Sequence, residues 1–412
     1  MTDPIPALPP TEAIRFFRSK GLATGFDWQD VWQEEHARAF TVAKAMQREV
    51  LEDIRAALDD ALAEGRTLDQ FRDELTPVLQ ARGWWGRQDM EDPLTGEVRA
   101  VQLGSPRRLR TIFETNMRSA YQAGRWERIQ RVKTAMPYLR YVATMDGRTR
   151  PEHRAWHGTV LPVDDPWWDT HYPPCGFRCR CTVTQMNART LARRGFTVTE
   201  APVRFPDRTY TNRRTGEVTT VEGGISPGFS FNVGKAYLDG VTPRPLPDAP
   251  DAAPDEGVEI QAADDRRTDE LLAEGATLDQ GARVFQAYLG DPDGAARVIE
   301  DPTGYPLVIG PGLFRRMDGR SPRWPAARIR SLHMIARAIA DPDQIRETWR
   351  EAETGRRMLV RRYIASFHTP DGLIDVMAEF GTDGWRCRSS AEPDFNLVAV
   401  LSGVVAHRRA TA

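Results

Sequence analysis

Across residues 28–63, Val31, Phe40, Val42, Ala43, Met46, Val50, Ile54, Leu58 and Leu62 recur mostly at three- and four-residue steps. That is the period of one long helix or of two consecutive ones, and Gly65 supplies the stop. Residues 11–19 carry the pattern of a shorter amphipathic helix ending before Gly21. Thr67 and Gln70 stand at capping-box spacing ahead of a helix that carries Phe71, Leu75 and Leu79. Residues 91–97, with Pro93 and Gly96, read as a loop. Ser105 and Pro106 place an N-cap and an early proline before Leu109, Ile112, Phe113, Met117, Ala120 and Tyr121, one face of a helix running toward Thr134. The first hundred or so residues are therefore predicted to be helical.

The period then shortens. Residues 138–145 are aromatic and branched and predict a strand leading to the turn Asp146-Gly147. Thr149 and Glu152 have capping-box spacing, Pro151 suits a first helical turn and Gly158 a stop, which predicts a two-turn helix. Residues 161–174 form a Pro-, Asp- and Trp-rich loop, and residues 179–184 alternate like a strand. A polar hairpin is expected over residues 204–224, turning at 213–216.

Residues 241–262 are dominated by Pro, Asp and Ala, too poor in apolar side chains to fold alone, and predict a linker. Beyond it, residues 268–289 read as helical, and 298–302 and 306–309 as short strands around an Asp-Pro-Thr-Gly turn. Residues 325–340 form an amphipathic helix, and a further helix is expected from Pro342. Residues 358–367, 373–380, 385–389 and 397–406 are strand-like and separated by turn signals, a hairpin series. The expected class is α+β. The expected domains are a helical region over 1–104, a small mixed α/β domain over 105–240, the linker, and an α+β domain with an antiparallel sheet over 263–412.

At 412 residues the chain exceeds the usual size of a single core, which supports more than one domain. Basic and acidic residues nearly cancel, 56 against 58, so no global field argues for nucleic acid. The first residues lack the basic start and apolar run of a signal peptide, and no later stretch is apolar enough to span a bilayer, so a cytosolic origin is expected. With only four cysteines, three of them crowded together, reduced thiols or a metal fit better than a disulfide framework.

The crowded stretch is residues 145–183, which holds Cys175, Cys179 and Cys181 with His153, His157 and His171. On the predicted helix His153 and His157 are four residues apart and share a face; Cys179 and Cys181 share a face of the predicted strand. Three readings stay open. A structural zinc site would use His153, His157, Cys179 and Cys181, with Cys175 and His171 in reserve. A catalytic metal would need an open position and a base such as Asp146 or Glu152. Alternatively, these residues simply pack and hydrogen-bond around a loop.

Asp146, Arg150, His153, Gly158, Pro173-Pro174 and Cys179-Arg180-Cys181 follow the phrase ETNMRSAYQAGRW. Together with FDWQDVWQEEHARAF, GWWG and SPGFSFNVG, this order resembles the phage Mu F-like minor head proteins, also called head morphogenesis proteins, over residues 10–240. The resemblance implies a protein made in the bacterial cytoplasm and carried in the virion head. It also implies portal, capsid or scaffold proteins as partners in head assembly.

The C-terminal domain is similar in outline to phage barnase/EndoU/colicin/RelE-like nucleases. Such a domain implies metal-independent cleavage of RNA, with His or Tyr moving protons and Arg stabilising the phosphorane. His333, Arg361, Arg362 and Tyr363 are the candidates, with Ser366 and His368 nearby. The plainer alternative makes His333 a core histidine, and the alternation of a strand sends Arg361 and Arg362 to opposite faces. Three roles follow: a head assembly protein, a ribonuclease toxin that the head delivers, or a purely structural protein that binds portal or scaffold.

Overall fold

The structure is a computed structural model that describes residues 10–213, 216–240, 268–289, 296–314, 324–351 and 357–409. The predicted linker over 241–262 lies outside the described residues. The chain divides into two compact units, Met1–Lys20 with Thr24–Tyr237, and Gly21–Ala23 with Leu238–Ala412. Helices together with antiparallel sheets bear out the α+β expectation.

In the first unit, α1 (Thr11–Arg18) packs on the long helix of the unit at Gly124, where an added Cβ would lie 2.7 Å from the Ala13 backbone nitrogen. The expected helix over 28–63 is only half present. A 3-10 turn at Trp28–Asp30, capped reciprocally by Asp27 and Asp30, and a single turn at Glu35–Arg38 precede α2 (Arg48–Glu64). The chain breaks at Lys44, which has φ 65° and donates its backbone N–H to the Gly25 carbonyl at 2.7 Å. Before it, Trp28 and Trp32 form a local aromatic cluster with Tyr210, on which Trp32 stacks at 5.6 Å.

Gly65 closes α2 at φ 72°, and the Thr67–Gln70 capping box opens α3 (Leu68–Ala81), both as expected. The predicted loop over 91–97 turns a hairpin of β1 (Arg87–Glu91) and β2 (Val98–Gln102). These strands are polar and mostly exposed, so no alternation marked them. Ser105 caps α4 (Pro106–Val132) by accepting from the Arg108 N–H at 3.3 Å.

A three-stranded antiparallel sheet follows, with β3 (Tyr138–Val142) between β4 (Val160–Pro162) and β5 (Thr182–Met186). Between β3 and β4 lies the one-turn helix α5 (Pro151–Ala155), shorter than expected. Its predicted Thr149 cap is absent, because the Thr149 hydroxyl turns back to the Thr144 carbonyl and Asp146. A hairpin of β6 (Arg208–Thr211) and β7 (Val218–Val221) lies within the expected span.

The second unit is built on a five-stranded antiparallel sheet, with the longer helices on one face and a short helix on the other. The expected helix over 268–289 shrinks to α6 (Leu278–Tyr288), which begins where Thr277 and Gln280 form a capping box. Strands β8 (Arg297–Glu300) and β9 (Pro306–Ile309) pair as predicted. The helix expected over 325–340 breaks at Ser331 into Ala326–Arg330 and α7 (Leu332–Ala340).

The helix expected from Pro342 is instead the strand β10 (Gln344–Glu351), paired on both sides, so partners distant in sequence override a helix-like composition. Strands β11 (Arg357–Thr369), β12 (Gly372–Gly381) and β13 (Gly384–Ser389) form the expected hairpins. The strand expected over 397–406 begins as a short helix, Leu397–Val400, capped by Asn396. Only Val404–Arg408 forms β14, and the sheet order is β13-β12-β11-β10-β14.

One face of this sheet buries Tyr363, Ala365, Phe367, Ala378 and Trp385 against α6 and α7. On the other face Ile364 and Met377 meet Val400 and Leu401.

Candidate functional site

The three-stranded sheet of the first unit brings α5 to the turn before β5. His153, on α5, points Nδ1 at two thiols, 3.7 Å from Cys179 Sγ and 3.5 Å from Cys181 Sγ. All three side chains are buried. Cys179 and Cys181 are not on a strand as expected. They sit in the turn that precedes Thr182, with the Cys179 N–H donating to the Gly176 carbonyl at 3.1 Å.

Helix α4 braces this turn from behind, where Arg118 donates to the Cys179 carbonyl at 2.9 Å and Gln122 to the Cys181 carbonyl at 3.4 Å. Arg180, between the thiols, points outward and pairs with both Asp146 oxygens at 2.7 and 2.5 Å. That pair holds the Asp146 carboxyl well below the usual carboxylate range, helped by the Arg148 N–H.

The donor set suits a soft cation. Tetrahedral zinc, with Zn–S of ~2.3 Å and Zn–N of ~2.0–2.1 Å, places nitrogen and sulfur about 3.5 Å apart, close to the separations found. His153 Nε2 donates to the Gly224 carbonyl at 3.1 Å, which leaves Nδ1 as the lone-pair nitrogen facing the thiols. The ring also stacks on Trp156, centroids 5.2 Å apart. Hydrogen bonds from Cys175 and Cys181, with a smaller contribution from His153, pull the Cys179 thiol well below its ordinary value.

His157 does not join them. It lies beyond the end of α5, and its Nδ1 accepts from the Ala143 N–H at 3.1 Å. Of the two reserves, Cys175 is the nearer, since it hydrogen-bonds toward Cys179 while its Sγ lies 3.3 Å from the His171 carbonyl oxygen. His171 is turned away, stacked on Trp167 at 4.4 Å, and burial lowers its pKa to about 4. Among the described residues, His153, Cys179 and Cys181 form the one group of His, Cys, Asp or Glu side chains close enough to share a metal ion.

In the second unit the four candidate residues fall into three places. His333, on α7, has Nε2 3.5 Å from Asp269 Oδ1, beside Arg337. Arg361 and Tyr363 point to the helix-covered face and converge on Asp301, which accepts from Arg361 Nε at 3.0 Å and from the Tyr363 hydroxyl at 2.9 Å. Arg361 also bonds Thr303 at 2.6 Å and Glu347 at 2.5 Å, so its guanidinium is fully engaged in tying the β8–β9 turn to the sheet.

Arg362 points to the opposite face. It donates Nε to Glu379 at 2.6 Å and Nη1 to the Ala399 carbonyl and the Ser402 hydroxyl. Glu379 is fully buried and is also met by Arg386 at 2.9 Å and Arg350 at 3.3 Å. Burial alone would raise its pKa; the three guanidinium groups outweigh it and leave the carboxyl below its ordinary value.

Cross-strand register aligns Arg346, Arg362, Glu379 and Arg386 in one row. Glu379 was not among the sequence candidates. The available signal was a carboxylate inside the otherwise apolar VMAEF run, a buried charge in search of partners.

Two family models match. Residues 52–184 match the Phage Mu protein F like family, and residues 284–408 match the phage-Barnase-EndoU-ColicinE5/D-RelE like nuclease2 family. The chain thus holds a region similar to the Phage Mu protein F like family, followed by a region similar to that nuclease family.

It is similar to protein F of Escherichia phage Mu, named for capsid assembly, with 42% identity over 242 residues that cover 56% of this chain and 55% of the phage protein. It is also similar to the F protein of the Mu-like prophage FluMu of Haemophilus influenzae, 39% identical over 224 residues, which cover 51% of this chain and 53% of that one. The chain spans about half the length of these relatives. No solved structure matches.

Proposed function

We propose that this chain is a head protein of a Mu-like phage that acts in capsid assembly against portal, capsid or scaffold proteins. Its first unit would be held by one structural zinc ion. The similarity to a protein named for capsid assembly carries this reading, and the matched family region contains the His153, Cys179 and Cys181 group. Zinc would be ligated by these three residues and would lock α5 to the turn before β5.

The test is a phage lysate. Immunodetection of the chain in gradient-purified heads, and loss of filled heads when the gene is interrupted, are the expected results. Normal particles lacking the chain would overturn the reading.

A second reading concerns the C-terminal domain, whose residues 284–408 match a nuclease family model. The Arg346, Arg362, Glu379 and Arg386 row offers the chemistry of RNA cleavage. A carboxylate would take the proton of a ribose 2′-hydroxyl, the 2′-oxygen would attack phosphorus, guanidinium groups would stabilise the phosphorane, and the 5′-oxygen would leave with a proton. Of the residues expected from sequence, Arg362 lies in this row; His333 and the Arg361–Tyr363 pair lie elsewhere.

Arg362 is covered by Ala399 and Ser402, so the segment that bears them would have to give way to substrate. Inducing the chain in bacteria beside Arg386→Ala and Glu379→Gln variants tests this. Growth arrest with cleaved RNA, relieved in the variants, supports a delivered ribonuclease. Intact RNA from abundant folded protein leaves a structural role for the domain.

A further inference from the structure

We infer that the first unit carries a binding cavity for an apolar chain ending in a carboxylate. A cavity of about 300 Å³ lies where the phrases at residues 26–43 and 226–233 meet α4. It falls at the lower end of the ~300–1,000 Å³ range of small-molecule pockets. Its walls are apolar, built by Trp28, Val42, Ile112, Phe177 and Phe229.

Three polar groups interrupt them without being satisfied. Thr41 and Thr115 are among the lining residues, and their hydroxyls are buried with no hydrogen-bond partner among the described residues. Lys20, 5% exposed, also lines it. Its ammonium rests over the Phe16 ring, 4.9 Å from the centroid, and meets no carboxylate and no hydrogen-bond acceptor among the described residues.

The other titratable lining groups are Arg108 and His36, and no acid lines the cavity. Arg108 is already engaged, stacked on Trp84 at 4.9 Å and donating to the Ala43 and Leu103 carbonyls. A buried ammonium without a counter-ion is costly, and so is a buried hydroxyl without a partner. An apolar tail would fill the walls, and its carboxylate would meet Lys20 with the threonine hydroxyls as further donors. A neutral chain would leave the ammonium unpaired, and a cationic one would be repelled. The volume suits one chain, not a folded segment of another protein.

The test uses the full-length chain, titrated with decanoate, decanol and decyltrimethylammonium by calorimetry, with native mass spectrometry for stoichiometry. Decanoate is expected to bind one per chain, decanol about tenfold more weakly, the difference of one charge-assisted bond, and the cation not at all. Lys20→Met should bind decanoate and decanol alike, and Ile112→Trp should bind neither. Thr115→Val keeps Lys20 in place and should lose part of the preference, which keeps the test open if the lysine variant fails to fold. Equal binding of acid and alcohol by the wild type, a preference unchanged in Lys20→Met, or no binding of decanoate would each overturn the assignment.

Discussion

The Nε2 of His153 lies 3.1 Å from the carbonyl oxygen of Gly224, and that one contact decides which ring nitrogen faces Cys179 and Cys181. Gly224 holds φ 87°, and a Cβ there would lie 2.5 Å from the Trp156 ring. A side chain at this position would displace the ring that stacks on His153. The carbonyl, the imidazole and the thiols thus form one chain of contacts from the 222–226 turn to the turn before β5.

A metal prediction follows from that geometry. Protein purified from zinc-supplemented cells should carry about one zinc per chain by elemental mass spectrometry. Cys179→Ser, Cys181→Ser and His153→Ala should each lower it severalfold or more, because each removes one of the facing donors. His157→Ala should retain it, since His157 serves the Ala143 N–H instead. Equal loss in His157→Ala would return that residue to the ligand set.

Lys20 supplies a pH dependence of defined sign. Burial, assisted by Arg55, lowers its pKa from 10.5 to about 7. Between those values the unfolded chain holds a proton that the folded chain has released, so stability rises with pH across that window. Below about pH 7 both states are protonated and the full penalty applies, on the order of 5 kcal/mol at most. Lys20→Met should therefore stabilise the ligand-free protein more at pH 6.5 than at pH 9.5, measured by denaturant unfolding. The same gain at both pH values would show that the amine is not titrating in that window.

Local signals were legible where a few neighbouring residues decide the outcome. The caps at Thr67 and Ser105, the stop at Gly65 and the hairpins from β11 to β13 all follow from side chains within four positions or from simple alternation. Where distant partners decide, the reading failed. Residues 344–351 became a strand because β11 and β14 flank them, and the period over residues 28–45 was interrupted by contacts of Lys44 with Gly25 and Phe26.

At the candidate site the clustering of His and Cys was visible, but the spacing of His153 and His157 assumed a helix long enough to hold both. The observed helix ends at Ala155. Glu379 stayed hidden because its three arginine partners come from three different strands.

Two glycines separate crowding from backbone freedom. At Gly234, in the SPGFSFNVG phrase, an added Cβ would sit 2.1 Å from the Trp126 Cβ, and neither backbone can yield easily. Gly147 has nothing within 4 Å of that position. Gly234→Ala should cost about 1–3 kcal/mol of stability, as overpacking does, and Gly147→Ala roughly nothing. A thermal scan of the two variants beside the wild type measures both. A silent Gly234→Ala would mean that α4 can shift away from Trp126's neighbour without loss.

Glu379 is the charge on which the buried row of the second unit depends. Its carboxylate satisfies Arg362 at 2.6 Å and Arg386 at 2.9 Å, and it has no solvent exposure of its own. Removing it as Glu379→Ala leaves the buried Arg362 guanidinium without its carboxylate, a change that costs roughly 3–5 kcal/mol in buried pairs. Removing both charges as Arg362→Met with Glu379→Gln should recover part of that loss, because the unpaired charge is gone. A double-mutant cycle in denaturant measures the coupling. If the single and double changes are simply additive, Arg362 finds enough support in the Ala399 carbonyl and Ser402 hydroxyl, and the row is a set of independent contacts. Strong coupling would instead show one electrostatic unit spanning β11 and β12, the rigid base that a phosphate-binding surface would need.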